Sequence, residues 1–314
     1  MSVKKRVYGC VRQAMPVALK TSLWFLKIML PVSFGVMLLS YFNILPYLSS
    51  FASPLFTLIG LPGDAALVFI TSIFTNIYTV IALLATLDFT VRESIILAMM
   101  CLISHNFVVE TLVLKKTGSS AVAMVLLRVV MSFVAALLLN WLLPSMSGRM
   151  MHEEAVMMGF TDTLVSWCIG SLKLAVKIVL IISVLMVFQR LLEEFGVLKF
   201  LSMIFGPLMT LFGLPRSVAF LWLVGNTLGL AYGSAVMMDY VGAGKLSRRE
   251  ADLLNYHLAV SHSQLEDPLL FAVLGLPILW LIIPRILLAV VVVWLRRAEL
   301  GIRAMIKGRE LVTR

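Results

Sequence analysis

Residues 54–62 read PLFTLIGLP and residues 207–215 read PLMTLFGLP, seven identities in nine positions at an offset of 153. The match extends outward. Arg92-Glu93 aligns with Arg249-Glu250 and Ser104-His105 with Ser261-His262, both at an offset of 157, so the second copy carries about four extra residues near 242–245. At that same offset Glu110 falls on Asp267, Gly118 on Gly275 and Arg128 on Arg285. A collinear run of this kind marks an internal duplication. The chain therefore divides into a first repeat, 1–150, and a second, 151–314, joined by the polar stretch Ser147 to Glu154.

Each repeat contains four apolar segments in the same order, about 22–42, 66–87, 93–113 and 119–143, then 171–190, 216–238, 251–272 and 276–295. The chain is 61% hydrophobic and 13% charged, against about half and a quarter in soluble domains. Several segments approach the roughly 20 residues that cross about 30 Å of hydrocarbon, so the chain reads as a polytopic membrane protein. The repeated Pro-Leu-x-Thr-Leu-x-Gly-Leu-Pro motif is too short and too broken by Pro and Gly to span. It reads as an interfacial helix ending in a turn.

The net charge of +10 sits in flanks: Lys4, Lys5, Arg6 and Arg12 precede the first segment, and Arg296, Arg297, Arg303, Lys307, Arg309 and Arg314 follow the last. Basic flanks anchor spans on the cytoplasmic side, so a nucleic-acid role is set aside. No cleavable signal peptide is evident. Cys10, Cys101 and Cys168 show no metal or disulfide spacing and read as buried, inert thiols.

Topology turns on the second segment of each repeat. If it enters and leaves on one side as a re-entrant hairpin, three crossings remain per repeat and the second repeat is inverted. Lys115, Lys116, Arg190, Lys199, Lys245, Arg248 and Arg249 then join the termini inside, leaving mainly Arg92 and Arg149 outside. The positive-inside rule favours this arrangement, although Lys173 counts against it. Composition agrees: Thr75-Asn76-Ile77-Tyr78-Thr79 interrupts one segment, and Gly225-Asn226-Thr227, Gly229, Tyr232, Gly233 and Ser234 interrupt the other. Irregular backbone at membrane depth needs protein or a wet cavity to satisfy its amides. Paired interruptions in two repeats point to a transporter's binding site, and small residues for close helix packing are the plainer alternative.

Ionisable residues within the apolar segments each need a partner, a cavity or a function. His105 and Glu110 lie on one segment, and His262, Glu266 and Asp267 on its counterpart, with His262 and Glu266 spaced to share a helical face. Arg128 and Arg285 lie in the last segments and call for acidic partners, Glu110 and Asp267. Such pairs lock helices together or, alternatively, receive an anionic group. Lys27 and Lys177 read as snorkelling. Phosphate loops, HExxH and GxSxG elbows are absent, so no enzyme is expected.

The sequences PLMTLFGLP (207–215), GNTLGLAYGS (225–234), SHNFVVE (104–110) and SHSQLED (261–267) resemble the nucleoside recognition, or gate-domain, membrane proteins. That family shares its gate domain with concentrative nucleoside transporters and with ferrous-iron transporter B proteins. The resemblance implies an all-α membrane protein of two inverted-topology repeats, each with three crossing helices, an interfacial helix and a re-entrant hairpin. No GTPase domain precedes the spans, which weakens an iron role, and the chain is shorter than a typical nucleoside transporter.

The leading expectation is a secondary transporter for a small polar solute, nucleoside-like or an organic anion, in the cytoplasmic (inner) membrane of a bacterium, with both termini cytoplasmic. Its site is expected between the two hairpins, with Asn226, Thr227, Thr75, Asn76, Tyr232 and Ser234 contacting substrate. His105, Glu110, Arg128, His262, Glu266, Asp267 and Arg285 are expected to couple or pair charge, and proton coupling is the economical choice. The expected partners are the lipid bilayer and a small-molecule substrate, a homo-oligomer is compatible, and neither cofactor nor resident metal is called for. A non-transporting membrane scaffold and a divalent-metal carrier are the alternatives.

Overall fold

The structure, a computed structural model, describes residues 3–42, 44, 47, 53–146, 148 and 159–312. Arg149 and all of the inter-repeat stretch except Gly148 lie outside the described residues. The described chain is all-helical, 83% helix without strands.

In the first repeat the helices are α1 (Val3–Tyr41), α2 (Ser53–Leu58), α3 (Ala65–Phe74), α4 (Ile77–Thr86), α5 (Val91–Ser104), α6 (Phe107–Lys116) and α7 (Ala121–Leu142). The second contains α8 (Phe160–Glu194), α9 (Val197–Leu211), α10 (Ala219–Thr227), α11 (Leu230–Gly242), α12 (Arg248–Ser261), α13 (Glu266–Phe271) and α14 (Ile278–Val312). Short 3-10 turns, Arg216–Val218 and Ala272–Leu274, precede α10 and follow α13.

The duplicated sequence produces duplicated local geometry. The helices of the PLxTLxGLP motif, α2 and α9, each run into a glycine in left-handed conformation, Gly60 at φ 76° and Gly213 at φ 75°. Only glycine adopts that conformation without cost. Both α5 and α12 start with a capping box: Thr90 accepts from the Glu93 amide while Glu93 accepts from the Thr90 amide, and Ser247 and Glu250 do the same. The Ser247 backbone N–H and hydroxyl together hold the Glu250 carboxyl below its usual range.

The segment expected at 66–87 is two helices separated at Thr75-Asn76, and that expected at 216–238 is two separated at Leu228-Gly229. A Cβ on Gly233 of α11 would lie 2.9 Å from the Gly225 Cα of α10, so these two helices touch backbone to backbone beyond their turn.

Two expectations need correction. Segments 93–113 and 251–272 do not run through: α5 ends at Ser104 and α12 at Ser261, and in each case His then Asn106 or Ser263 leaves the helix. His262 and Glu266 therefore do not share one helical face, because residues 262–265 are non-helical. The cause is backbone geometry: Asn106 and Ser263 both hold positive φ, 51° and 53°, a conformation incompatible with continuing a right-handed helix. The thiol expectation also fails in part, since Cys168 is exposed while Cys10 and Cys101 are buried.

Contacts gather the chain into two compact units. One comprises Met1–Val108, Val129–Phe195 and Glu266–Leu281; the other comprises Val109–Arg128, Gly196–Leu265 and Ile282–Arg314. In the first unit α1 packs along α8 and on α4, and α3 on α4 and α5. Eleven consecutive residues of α5, Ser94 to Ser104, are buried, as expected of a helix apolar on every side. In the second unit α10 packs on α9, α11 and α12.

Among the described residues, three helices are long and apolar enough to cross a membrane, α7, α8 and Ile278–Ile306 of α14, and a fourth if α5 and α6, bent by 43°, count as one span. On α8 the residues Val165, Ile169, Leu172, Val176, Leu180 and Val184 are all exposed. An apolar stripe at helical spacing facing outward suits hydrocarbon, not water. The first segments are longer than expected, beginning at Val3 and Phe160, so Lys27 and Lys177 lie well inside α1 and α8, both exposed. The protein is a multi-pass membrane protein.

Candidate functional site

Each Ser-His pair ends a helix and ties the departing chain to the interrupted segment of its own repeat. In the first unit the Asn106 amide donates to the Ser72 carbonyl at 2.9 Å; in the second the Ser263 amide donates to the Gly225 carbonyl at 3.1 Å. Ser72 and Gly225 are 153 apart and Asn106 and Ser263 are 157 apart, the two offsets of the repeat. Both histidines direct Nδ1 at the carbonyl four residues back, Cys101 at 3.0 Å and Leu258 at 2.8 Å. A carbonyl only accepts, so Nδ1 carries a hydrogen and Nε2 is the nitrogen left to exchange a proton.

In the second unit the tie is doubled, because the Leu265 amide also donates to the Asn226 carbonyl at 3.0 Å. Residue 264 thus lies against the end of α10. Asn226, 3% exposed, donates Nδ2 to the Trp222 carbonyl, while its Oδ1 has no hydrogen-bond partner among the described residues. Among the described residues Gln264, 9% exposed, has no hydrogen-bond partner for either polar atom of its amide. Each unpaired buried polar atom costs about 1–3 kcal/mol. Three on two neighbouring amides are a costly feature for a purely structural turn.

Thr227 donates to the Leu223 carbonyl at 2.7 Å and Ser234 to the Leu230 carbonyl, so both hydroxyls are spent on their own helices. Tyr232 lies on α11, with its side chain outside the described set. In the first unit Asn76 serves as the N-cap of α4, its Oδ1 accepting from the Tyr78 and Thr79 amides at 3.1 and 3.2 Å. Thr75 donates to the Thr71 carbonyl at 2.8 Å.

The acidic residues lie on α6 and α13, the helices that follow the two breaks. Glu110 Oε2 lies 2.7 Å from Arg128 Nη2 and 3.3 Å from His262 Nε2, all three side chains buried. Arg128 thus meets the acidic partner expected from the sequence. Arg285, fully buried, donates Nε to the Val260 carbonyl at 3.1 Å and Nη2 to the His262 carbonyl at 2.7 Å, capping the end of α12. Asp267 Oδ2 is 3.8 Å from His105 Nε2. Beside it Glu266, half-buried, accepts from the Tyr78 hydroxyl at 2.9 Å, with Gln189 Nε2 at 3.5 Å.

Sequence reasoning passed over Gln264, Gln189 and His257, and named Tyr78 only as part of the 75–79 interruption, not as a site residue. The His257 ring is fully buried, stacks on Phe212 at 5.4 Å and accepts at Nδ1 from Trp222 Nε1 at 3.3 Å. Gln264, Gln189 and Tyr78 carry no charge at neutral pH, and His257 has no polar counterpart in the first repeat, where Met100 stands. Gln264 could have been found as the polar residue between Ser263 and Leu265 of a break; the Tyr78 and Gln189 contacts, 188 and 77 residues from Glu266, had no local signal.

Apolar helices with paired breaks and buried polar groups at them mark a membrane protein. Residues 22–121 match the model of the nucleoside recognition (Gate) family, which is found in nucleoside and iron transporters. Over 273 residues, 84% of this chain and 86% of the relative, the chain is 29% identical to the "Uncharacterized membrane protein YvoD" of Bacillus subtilis (strain 168). No solved structure matches.

Proposed function

We propose that the protein is a secondary transporter that carries a small polar solute of nucleoside type across the cytoplasmic membrane of a bacterium. The observation that carries this reading is the trio of unpartnered polar atoms on Asn226 and Gln264, nine-tenths buried at the doubled tie between residues 225–226 and 263–265. A primary amide offers a donor and an acceptor side by side, which suits the edge of a nucleobase. In this reading the solute supplies the partners that the folded chain withholds. Thr227 and Ser234 shape the wall, and Thr75 and Asn76 hold the first interruption open for the opposite access state.

The two repeats are inverted in this reading, with interruptions 75–76 and 228–229 at the tips of re-entrant hairpins and both termini cytoplasmic, as the basic flanks favour. Ionisable groups that cluster beside the breaks, with His Nε2 atoms facing acidic oxygens, support proton coupling in this reading. Arg128 and Arg285 are structural, one neutralising Glu110 and the other capping α12.

Uptake into proteoliposomes across a range of pH tests the reading. Accumulation of a nucleoside that rises with an inward proton gradient is expected. Failure of every nucleoside, nucleotide, organic anion and divalent ion to move would remove it.

A further inference from the structure

We propose that Glu266 is the carboxylate that takes up and releases a proton, held by Tyr78 and Gln189 as positioning residues; the use of that proton for coupling rests on the transport reading above. The geometry separates Glu266 from Glu110. Glu110 Oε2 meets the Arg128 guanidinium at 2.7 Å, and a guanidinium never accepts a hydrogen bond or gives up its proton. That surrounding suits the ionised carboxylate alone. Among the described residues Glu266 has no cationic partner. Its contacts are the Tyr78 hydroxyl on Oε1 and the Gln189 amide near Oε2.

Both of these groups donate and accept. They donate to Glu266 when it is ionised. When it is protonated, the carboxyl O–H can be received by the phenolic oxygen or by the Gln189 carbonyl after rotation of the amide. Either charge state is therefore satisfied without moving a helix, the condition a reversible proton site needs. Glu266 is only half-buried, which gives a proton access.

The surroundings contain few competing groups. α13 packs on α4, α5, α8 and the 3-10 turn that follows it. Tyr78 faces it from α4, His105 from the end of α5 and the neutral Gln189 from α8, while Asp267 lies beside it on α13 and Cys101 sits one turn before His105. Other ionisable groups on these helices are engaged elsewhere or exposed: Arg92 with Asn140, Glu93 with Thr90, Arg190 with Glu193 and Glu194 with Arg6, whereas Asp162, Lys173 and Lys177 are exposed. The 3-10 turn, Ala272–Leu274, contains no titratable residue.

Infrared difference spectroscopy of the full chain in lipid nanodiscs, titrated between about pH 4 and pH 9 where carboxyls, imidazoles and thiols exchange protons, reads the site without any solute. A protonated-carboxyl carbonyl band is expected to grow in as pH falls, to vanish in Glu266→Gln and to persist in Glu110→Gln. Tyr78→Phe, which keeps the ring, should shift the frequency of that carbonyl band, because the hydroxyl held 2.9 Å from Oε1 is removed. A band unchanged in Glu266→Gln, or a band frequency unmoved in Tyr78→Phe, overturns the proposal. A band that behaves as expected in a protein that moves no solute upholds the proton site and removes only the transport reading.

Discussion

The breaks after Ser104-His105 and Ser261-His262 are the same backbone device with different side chains. In both, a capped helix ends at a histidine, the next residue turns left-handed, and its amide reaches back to the interrupted segment. At the second break the neighbouring side chains are Asn226, His257 and Gln264; at the repeat-equivalent positions of the first stand Ile73, Met100 and Phe107. Backbone geometry has been kept in duplicate, while these three positions are polar in one copy and apolar in the other. A fold requirement would fall on both copies alike. The polar trio is therefore the part of the second break that the fold does not explain.

The largest effect on this comparison comes from the ion pair that anchors the arm of the first break. Arg128→Met leaves Glu110 buried beside His262 without its guanidinium, and should lower stability by about 3–5 kcal/mol, read as the melting temperature in detergent. Adding Glu110→Gln should recover much of that loss.

Next come the amides. Asn226→Ala and Gln264→Leu should weaken solute binding about 10- to 100-fold, the equivalent of about 1–3 kcal/mol for withdrawn hydrogen bonds, while melting temperature holds or rises. Phe107→Ala, at the position equivalent to Gln264, should do the reverse, costing stability and sparing binding. Equal effects of the two substitutions on binding would erase the distinction between the breaks.

Gly233→Ala forces a methyl against the Gly225 backbone and should cost about 1–3 kcal/mol through overpacking, measured by thermal denaturation. The smallest effect sharpens the likeness instead of the difference: Thr90→Ala and Ser247→Ala should each cost about 1 kcal/mol, and matched losses would show the two capping boxes to be energetically equivalent.

Much of this was legible in the sequence because the signals were local or duplicated. Gly60 and Gly213 announced the turns after the PLxTLxGLP helices, and Asn76 and Gly229 announced the interruptions, since each has a side chain, or lacks one, suited to leaving a helix. The breaks after the histidines were not foreseen. Neither 104–107 nor 261–265 contains Gly or Pro, and only Asn106 is a residue that tolerates a left-handed backbone easily. Ser263 adopts it because its amide is held by the Gly225 carbonyl, a tertiary cause with no trace in local sequence. Most ionisable residues, His257 excepted, were legible by their cost in an apolar setting, whereas Gln264 and Gln189 are neutral and carry no such signal. The two compact units were also hidden: residues 109–128 and 266–281 each pack with residues beyond their own repeat, which no periodicity reveals.

The central claim is that the amides at the second break hold a solute. Thermal stabilisation of the purified protein by a panel of nucleosides tests it most directly. The account predicts that at least one nucleoside raises the melting temperature of the unsubstituted protein and that the rise disappears in Gln264→Leu and Asn226→Ala, both still folded. A rise of the same size in the two variants, or no rise with any nucleoside, would contradict it.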